Sequence, residues 1–249
     1  MRKGIVLTKR DVQLMRHLSF GPATGKSIFI NIFDKEGAAT RTRRRVMMRR
    51  LVKLEKEGLI VRKVSHTYRD YAYTLTKDAA PIVAGQFGVE LTSVWASFND
   101  KHIDHDLHVA GIARRLVRES EEKHLYELLS LVLECELRRR SRASKGVYFP
   151  DLTFGLLNAS ERRISFDLEV DFGTVTRNDF LGKIRYVEKN ILVVTSNEKR
   201  LDLLLWYVKN ACISKPVYLT TLKEFYDNTL ITCSWATSFT NAPISLSIN

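Results

Sequence analysis

Cysteine is scarce in this chain of 249 residues and badly placed for either of its structural uses. Cys135, Cys212 and Cys233 are odd in number, far apart and set among apolar neighbours, which excludes a disulfide scaffold and a thiolate metal cage. Reduced thiols at core or boundary positions of a cytoplasmic protein are expected. Long apolar runs are missing too. Arg2 and Lys3 are followed only by Gly4-Ile5-Val6-Leu7 before charge returns at Lys9, so neither a signal peptide nor a membrane span is expected, and no membrane partner. The sequence does not repeat itself and has no low-complexity tract. The last shortage is of acid at the front. Positions 1–100 hold 9 acidic against 19 basic residues, while the remainder is near balance at 19 against 21, within a net charge of +12 and a pI of about 9.7. An asymmetry of this size argues for two domains, the first facing a polyanion, with double-stranded DNA the leading partner.

The front segment reads as short helices followed by a hairpin. Thr8 and Asp11 form a capping-box pattern ahead of Val12, Leu14, Met15 and Leu18. Gly21-Pro22 breaks that helix, and 24–33 forms a second with Ile28, Phe29 and Ile32 inward. The stretch Gly21 to Ser27 looks superficially like a phosphate loop but fails as one: the glycine spacing is short, Pro22 removes a backbone donor, and no apolar strand precedes it. From Thr40 a third helix places Val46, Met47, Leu51 and Leu54 inward and ends at Gly58. Strands over 59–64 and 70–75 flank a polar turn, and Thr76 is expected to cap a further helix. Three helices then a hairpin is the order of a winged helix-turn-helix, and "L..LE.EGLI.R....R.Y.YTLT..A" resembles winged-helix proteins specifically.

The third helix would then enter the major groove, with Arg41, Arg43, Arg44 and Arg45 at base edges or groove walls. Arg49, Arg50 and Lys53 are expected on phosphate or in support of the fold, and Tyr68 and Arg69 of the wing on backbone or minor groove. So many cations with hardly an acid before Glu55 repel one another unless a polyanion neutralises them, so binding should fall steeply with salt. A palindromic target would imply a homodimer.

After this domain, at 1–88, a connector at 89–101 holds Trp95 and Phe98, expected to pack at an interface. A helix over 102–125 opens on His102, His105, Asp106 and His108; a catalytic part for His105 is one option, a partly buried or surface group the other. The run 127–137 reads as a strand carrying Glu134 and Glu136 on one face, and 138–145 as a basic turn that could hold DNA backbone.

The centre of the second domain is 147–187. Strands over 149–157 and 163–171 form a hairpin. Period-two alternation puts Asp167, Glu169 and Asp171 on one face, with Asp151 on the partner strand. A helix over 177–190 lays Lys183 and Tyr186 over this acidic patch. Concentrated carboxylates with one amine suit a hard cation, Mg²⁺ or Mn²⁺, held by Asp151, Glu169 and Asp171 for phosphodiester chemistry with Lys183. The alternative is that these acids pair with Arg162, Arg163, Arg177 or Arg185.

Pro150-Asp151, Glu169-Val170-Asp171 and Lys183 resemble the PD-(D/E)xK nuclease core in the form where the lysine has moved to the following helix. The departure is Asp171 where that core has lysine. Further strands at 191–196 and 216–220 around a helix at 197–209 complete the order of a restriction-endonuclease-like domain over 102–228, with a peripheral tail at 229–249. The fold class expected is therefore α/β (α+β). With the winged helix in front and the joint "LEVDFGT…F..KI.YV", the chain resembles the plasmid replication-relaxation family. That resemblance implies a role in plasmid replication or mobilisation, with relaxosome or replication proteins as partners. It makes Asp151, Glu169, Asp171 and Lys183 the site of a nicking endonuclease or relaxase, His105 assisting. The rival reading is a non-catalytic regulator with a degenerate site.

Overall fold

A computed structural model describes residues 6–34, 40–65, 67–96, 102–140, 148–157, 161–187, 189–240 and 244–246. Expectations for Phe98 and for 141–145 of the basic turn lie outside the described residues. The fold is mixed α/β, in two compact units, Met1–Arg114 and Arg115–Asn249.

In the first unit, α1 (Lys9–Ser19) starts at a true capping box: the Thr8 hydroxyl accepts from Asp11 N–H and the Asp11 carboxylate accepts from Thr8 N–H at 2.6 Å. β1 (Ala23–Thr24) leads into α2 (Gly25–Ile28), which continues as a wider π turn through Phe33. α3 (Thr40–Lys56) ends in a Schellman motif: Gly58 sits at φ +72, Gly58 N–H bonds Glu55 O, and Leu59 N–H reaches back to Leu54 O at 3.0 Å. β2 (Ile60–Ser65) and β3 (Asp70–Leu75) form the wing, and the sheet order is β1-β3-β2, antiparallel throughout. α4 (Ala80–Phe87) follows. This is the winged helix-turn-helix arrangement. Its core joins Leu14, Leu18, Ile28, Met47, Leu51, Leu54, Tyr73 and Val83.

Two expectations need correction here. Val46 is 45% exposed, because the buried stripe of α3 runs Met47, Leu51, Leu54 and Val46 falls one position off it. Thr76 does not cap α4: its hydroxyl donates to Gly58 O at 2.6 Å and accepts from Ala79 N–H, closing a turn ahead of that helix.

α5 (Ile103–Lys123) contains the division between units, which falls at Arg114 instead of within the connector. The reason is local. Arg114 Nη1 donates to His17 O and Gly21 O at 3.2 Å each, and the Cβ of Ala110 would lie 2.8 Å from any Cβ added at Gly21. Gly21, at φ +123 and packed on Trp95, is glycine by necessity on both counts.

The second unit is built on a six-stranded sheet in the order β4-β5-β6-β7-β8-β9. β4 (Glu127–Leu133) stops earlier than expected. Glu134 turns into α6 (Glu134–Arg140), its N–H bonded to Asp151 O, so Glu134 and Glu136 stand on a helix and not on a strand face. β5 (Leu152–Leu157) and β6 (Arg163–Asp171) complete an antiparallel meander. α7 (Arg177–Tyr186) then carries the chain over to β7 (Asn190–Thr195), parallel to β6, and α8 (Glu198–Asn210) to β8 (Val217–Thr221), parallel again. Three antiparallel strands, a helix and a parallel strand match the expected restriction-endonuclease-like order. α7 and α8 bury Phe180, Ile184, Leu204 and Val208 against Ile191, Val193, Val217 and Leu219.

The tail is not peripheral. After α9 (Leu222–Asp227), Leu230, Cys233 and Trp235 are fully buried, and β9 (Ala236–Thr237) pairs antiparallel with β8. Trp235 packs edge-on to Phe225 at 6.3 Å between centroids, and buried Glu119 of α5 accepts from Leu230 N–H at 3.0 Å. A few apolar anchors in a polar segment are enough to seal one end of the sheet.

Candidate functional site

The exposed face of α3 is a ridge of cations. Arg41, Arg45, Arg49 and Lys53 recur every fourth residue with Arg44 beside them, and all five are exposed. At 1.5 Å per residue the ridge runs about 18 Å, the reach of a helix laid in a groove. Two of the expected DNA residues differ. Arg43 is half-buried and faces Asp34 at 3.9 Å. Arg50 turns inward: Nε donates to Asp11 Oδ1 at 2.6 Å and Nη2 to Val6 O at 3.1 Å. Burial raises the Asp11 pKa, but the hydrogen bonds from Arg50 and Thr8 outweigh it and leave the carboxyl below its usual range.

The wing is braced from α5. Asp104 accepts from Ser65 Oγ at 2.6 Å and from the Thr67 hydroxyl, and the Tyr68 hydroxyl hydrogen-bonds Nε2 of His108. Burial and neighbouring His105 push His108 down to about 4, against the pull of Asp104, so its imidazole is neutral at physiological pH. Tyr68 remains 41% exposed, and Arg69, at φ +48, is exposed at the turn. His105 lies on this same stretch of α5, Nδ1 3.6 Å from Asp106 Oδ1, in the first unit.

In the second unit β6 is buried along most of its length and carries three acids, each given a different partner. Asp167 accepts from Thr153 Oγ1 at 2.5 Å and lies 3.5 Å from Lys189 Nζ. Glu169 Oε2 accepts from Lys183 Nζ of α7 at 2.7 Å, and its other oxygen accepts from the Tyr148 hydroxyl. Asp171 takes Arg200 of α8 in a two-pronged contact, at 2.7 and 2.9 Å, and its Oδ1 also accepts from Gly173 N–H. The arginines weighed from sequence are not the partners these contacts record; Arg200 comes from the next helix but one along the chain. Asp151 Oδ2 accepts from Val170 N–H at 2.8 Å across the β5–β6 pair, which sets its carboxylate beside Glu169.

The electrostatics follow from this packing. Burial first, then the charge of Asp151, push Glu169 up to about 7, although Lys183 and Tyr148 oppose the shift. Burial would lower Lys183, but Glu169, Asp151 and Glu134 more than compensate and raise it. Asp151 and Glu169 both act on the Lys183 ammonium. The Lys183 ammonium also lies 5.4 Å over the Tyr148 ring.

Asp151, Glu169 and Lys183 therefore come together as the spacing predicts. Asp171 shares the strand but is engaged by Arg200, and Tyr186, the last residue of α7, points away at 81% exposure. Among the described residues no group of three or more His, Cys, Asp or Glu side chains converges as a ready metal cage. Sequence reasoning missed Tyr148 and Arg200. An aromatic two positions before Pro150-Asp151 was a usable signal for the first; nothing local flagged the second.

No family model matches the chain, and no curated protein matches it. Among solved structures it is similar to a mutant of ZitR from Lactococcus lactis, at 17% identity and a TM-score of 0.29, covering 48% of this chain and 80% of that one. A likeness at that score carries no argument about fold or function. Among the described residues no helix is long and apolar enough to cross a membrane.

Proposed function

We propose that this chain is a DNA-binding protein of a plasmid or other mobile element, of the replication-relaxation type. In this reading the winged helix holds a duplex, and the second unit is a metal-dependent nicking endonuclease or relaxase acting in replication or mobilisation. The observation that carries the reading is the Lys183–Glu169 contact beside Asp151, on a β-β-β-α-β frame, in a chain whose other unit presents a ridge of arginines.

The donor set fits one hard divalent cation, Mg²⁺ or Mn²⁺, held by Asp151 and Glu169. Mg²⁺ is commonly bound through one or two carboxylates with waters and substrate phosphate completing its shell, and Asp151 and Glu169 lie side by side here. Asp171, with both oxygens on Arg200, fits a supporting part, fixing the end of β6 against α8. When bound, the cation supplies an activated water and offsets charge building on the phosphate. The chain's own groups do the rest. Tyr148 fixes one Glu169 oxygen, and Lys183 holds the other while presenting a proton-bearing ammonium at the site. DNA binding itself rests on the α3 ridge and on a wing held firm by Asp104 and His108.

A non-catalytic regulator is the second reading. The observation favouring it is that both Glu169 oxygens and both Asp171 oxygens already have protein partners, as a fold-stabilising network would. Incubating the protein with supercoiled plasmid carrying its native flanking DNA, in Mg²⁺, Mn²⁺ or EDTA, separates the two. Relaxed product that needs metal and disappears in Glu169→Ala is expected; binding that leaves the plasmid intact under every metal condition would make the protein a regulator or a relaxosome accessory.

A further inference from the structure

We infer that the outer surface of α7 and α8 in the second unit is a base-stacking platform for single-stranded nucleic acid, centred on Trp206 and Arg177. The inference rests on the reading of this chain as a nucleic-acid protein, but not on its being an active nuclease.

The starting observation is the cost of leaving an indole in water. Trp206 is 53% exposed, whereas the chain's other tryptophans, Trp95 and Trp235, are 8% and 0% exposed. Trp206 is not isolated. Tyr207 follows it with ring centroids 5.7 Å apart, and the guanidinium carbon of Arg177 stands 5.6 Å from the indole and 5.7 Å from the phenol ring. Leu203, one turn earlier on α8, is 39% exposed. Flat indole and guanidinium groups, exposed and next to each other, are the two planes on which proteins stack unpaired bases.

The surroundings select among partners. Lys183 and Arg200 are engaged by Glu169 and Asp171, which leaves α7 and α8 four exposed cations against three acids, and Arg177, beside the indole, is the one placed to meet the phosphate of a stacked nucleotide. A protein partner would ask for a contiguous apolar patch; here one indole and one leucine sit among charges. Duplex DNA hides its base faces in its own stack, so the platform suits a single strand. α8 also reaches the strand that carries the acids. Arg200, less than two turns before Tyr207 on α8, grips Asp171 at the end of the strand that carries Glu169.

The burial of Trp95 and Trp235 makes the test selective, since Trp206 is the indole a base can reach. The full chain, in EDTA so that nothing is cut, is titrated with oligothymidylate while tryptophan emission is followed. Quenching of the solvent-exposed component is expected. Trp206→Leu should abolish the quench and weaken oligothymidylate binding by roughly 5- to 150-fold, in keeping with about 1–3 kcal/mol per stacked base. Trp206→Phe should keep part of the affinity, and Arg177→Ala should weaken it. Unchanged far-ultraviolet dichroism and melting temperature verify that the variants fold. The platform is overturned if oligothymidylate binds Trp206→Leu as it binds the wild type, if it causes no quench, or if duplex of equal length quenches equally. Loss of the platform with duplex affinity intact leaves the winged-helix reading standing. Loss of duplex affinity in the wild type would sink that reading instead.

Discussion

Arg49 and Arg50 are adjacent in a run of arginines, yet one step of helical rotation gives them opposite tasks. Arg49 faces solvent on the ridge, while Arg50 closes on Asp11, whose side chain is 1% exposed. Arg50→Ala would strand a buried carboxylate, so a loss on the order of 3–5 kcal/mol is expected at neutral pH, read as a fall in denaturant midpoint. The pH dependence has a definite sign. Asp11 is more acidic folded than unfolded, so its contribution is full above the ordinary carboxyl pKa of 3.8 and is lost as pH falls through the lower, folded value. Wild-type and Arg50→Ala stabilities should therefore converge in acid. Asp11→Asn added to Arg50→Ala should recover part of the loss at pH 7, since the stranded charge is gone. Any drop in DNA binding by Arg50→Ala would then follow stability and not contact. Sequence had assigned Arg50 to phosphate or to support of the fold; the side of the helix it takes depends on Asp11, 39 residues earlier, a pairing no local pattern encodes.

At the scale of elements, α3 and the wing make a separable pair. Removing exposed ridge arginines, as in Arg45→Ala with Arg49→Ala, should leave the melting temperature within a few degrees, because neither carries the core. Duplex affinity should fall, and the slope of log affinity against log salt should flatten by about one for each arginine that touches phosphate. Filter binding over a salt series measures both, and an unchanged slope would move the contact off this ridge. Elements such as these were legible because their signals are local: Thr8 and Asp11 start α1, Gly58 stops α3, and the pleat of β6 places Glu169 toward α7. α6 was not. The run Leu131-Val132-Leu133-Glu134-Cys135-Glu136-Leu137 keeps an alternation that suits a strand, and only the bond from Glu134 N–H to Asp151 O marks the turn. The acidic site was half legible for the same reason. Asp151, Glu169 and Lys183 follow from strand register and helix order, whereas the choice of Arg200 for Asp171 depends on how α8 lies on the sheet.

Across the whole molecule, stability draws on segments that composition undervalues. The tail beyond α9 looked peripheral, yet Trp235 is fully buried against Phe225 and its backbone pairs with Ile244 in both directions. Trp235→Ala should cost about 3–5 kcal/mol, comparable with other large core truncations, and should lower the calorimetric transition of the second unit. A change of less than about 1 kcal/mol would restore the tail to a peripheral part.

β6 also has a consequence for the order in which the sheet is made. It is antiparallel to β5 across a local hairpin on one side and parallel to β7 through a helical crossover on the other, so it is the seam between the two halves of the sheet. Local hairpins generally close before parallel pairs that need a crossover, so the β5–β6 hairpin, which sets Asp151 beside Glu169, is expected to form ahead of the contacts that Lys183 and Arg200 bring from α7 and α8. Lys183→Ala and Arg200→Ala should then speed unfolding and leave the folding rate nearly unchanged in stopped-flow kinetics, whereas a matching slowdown of folding would reverse that order.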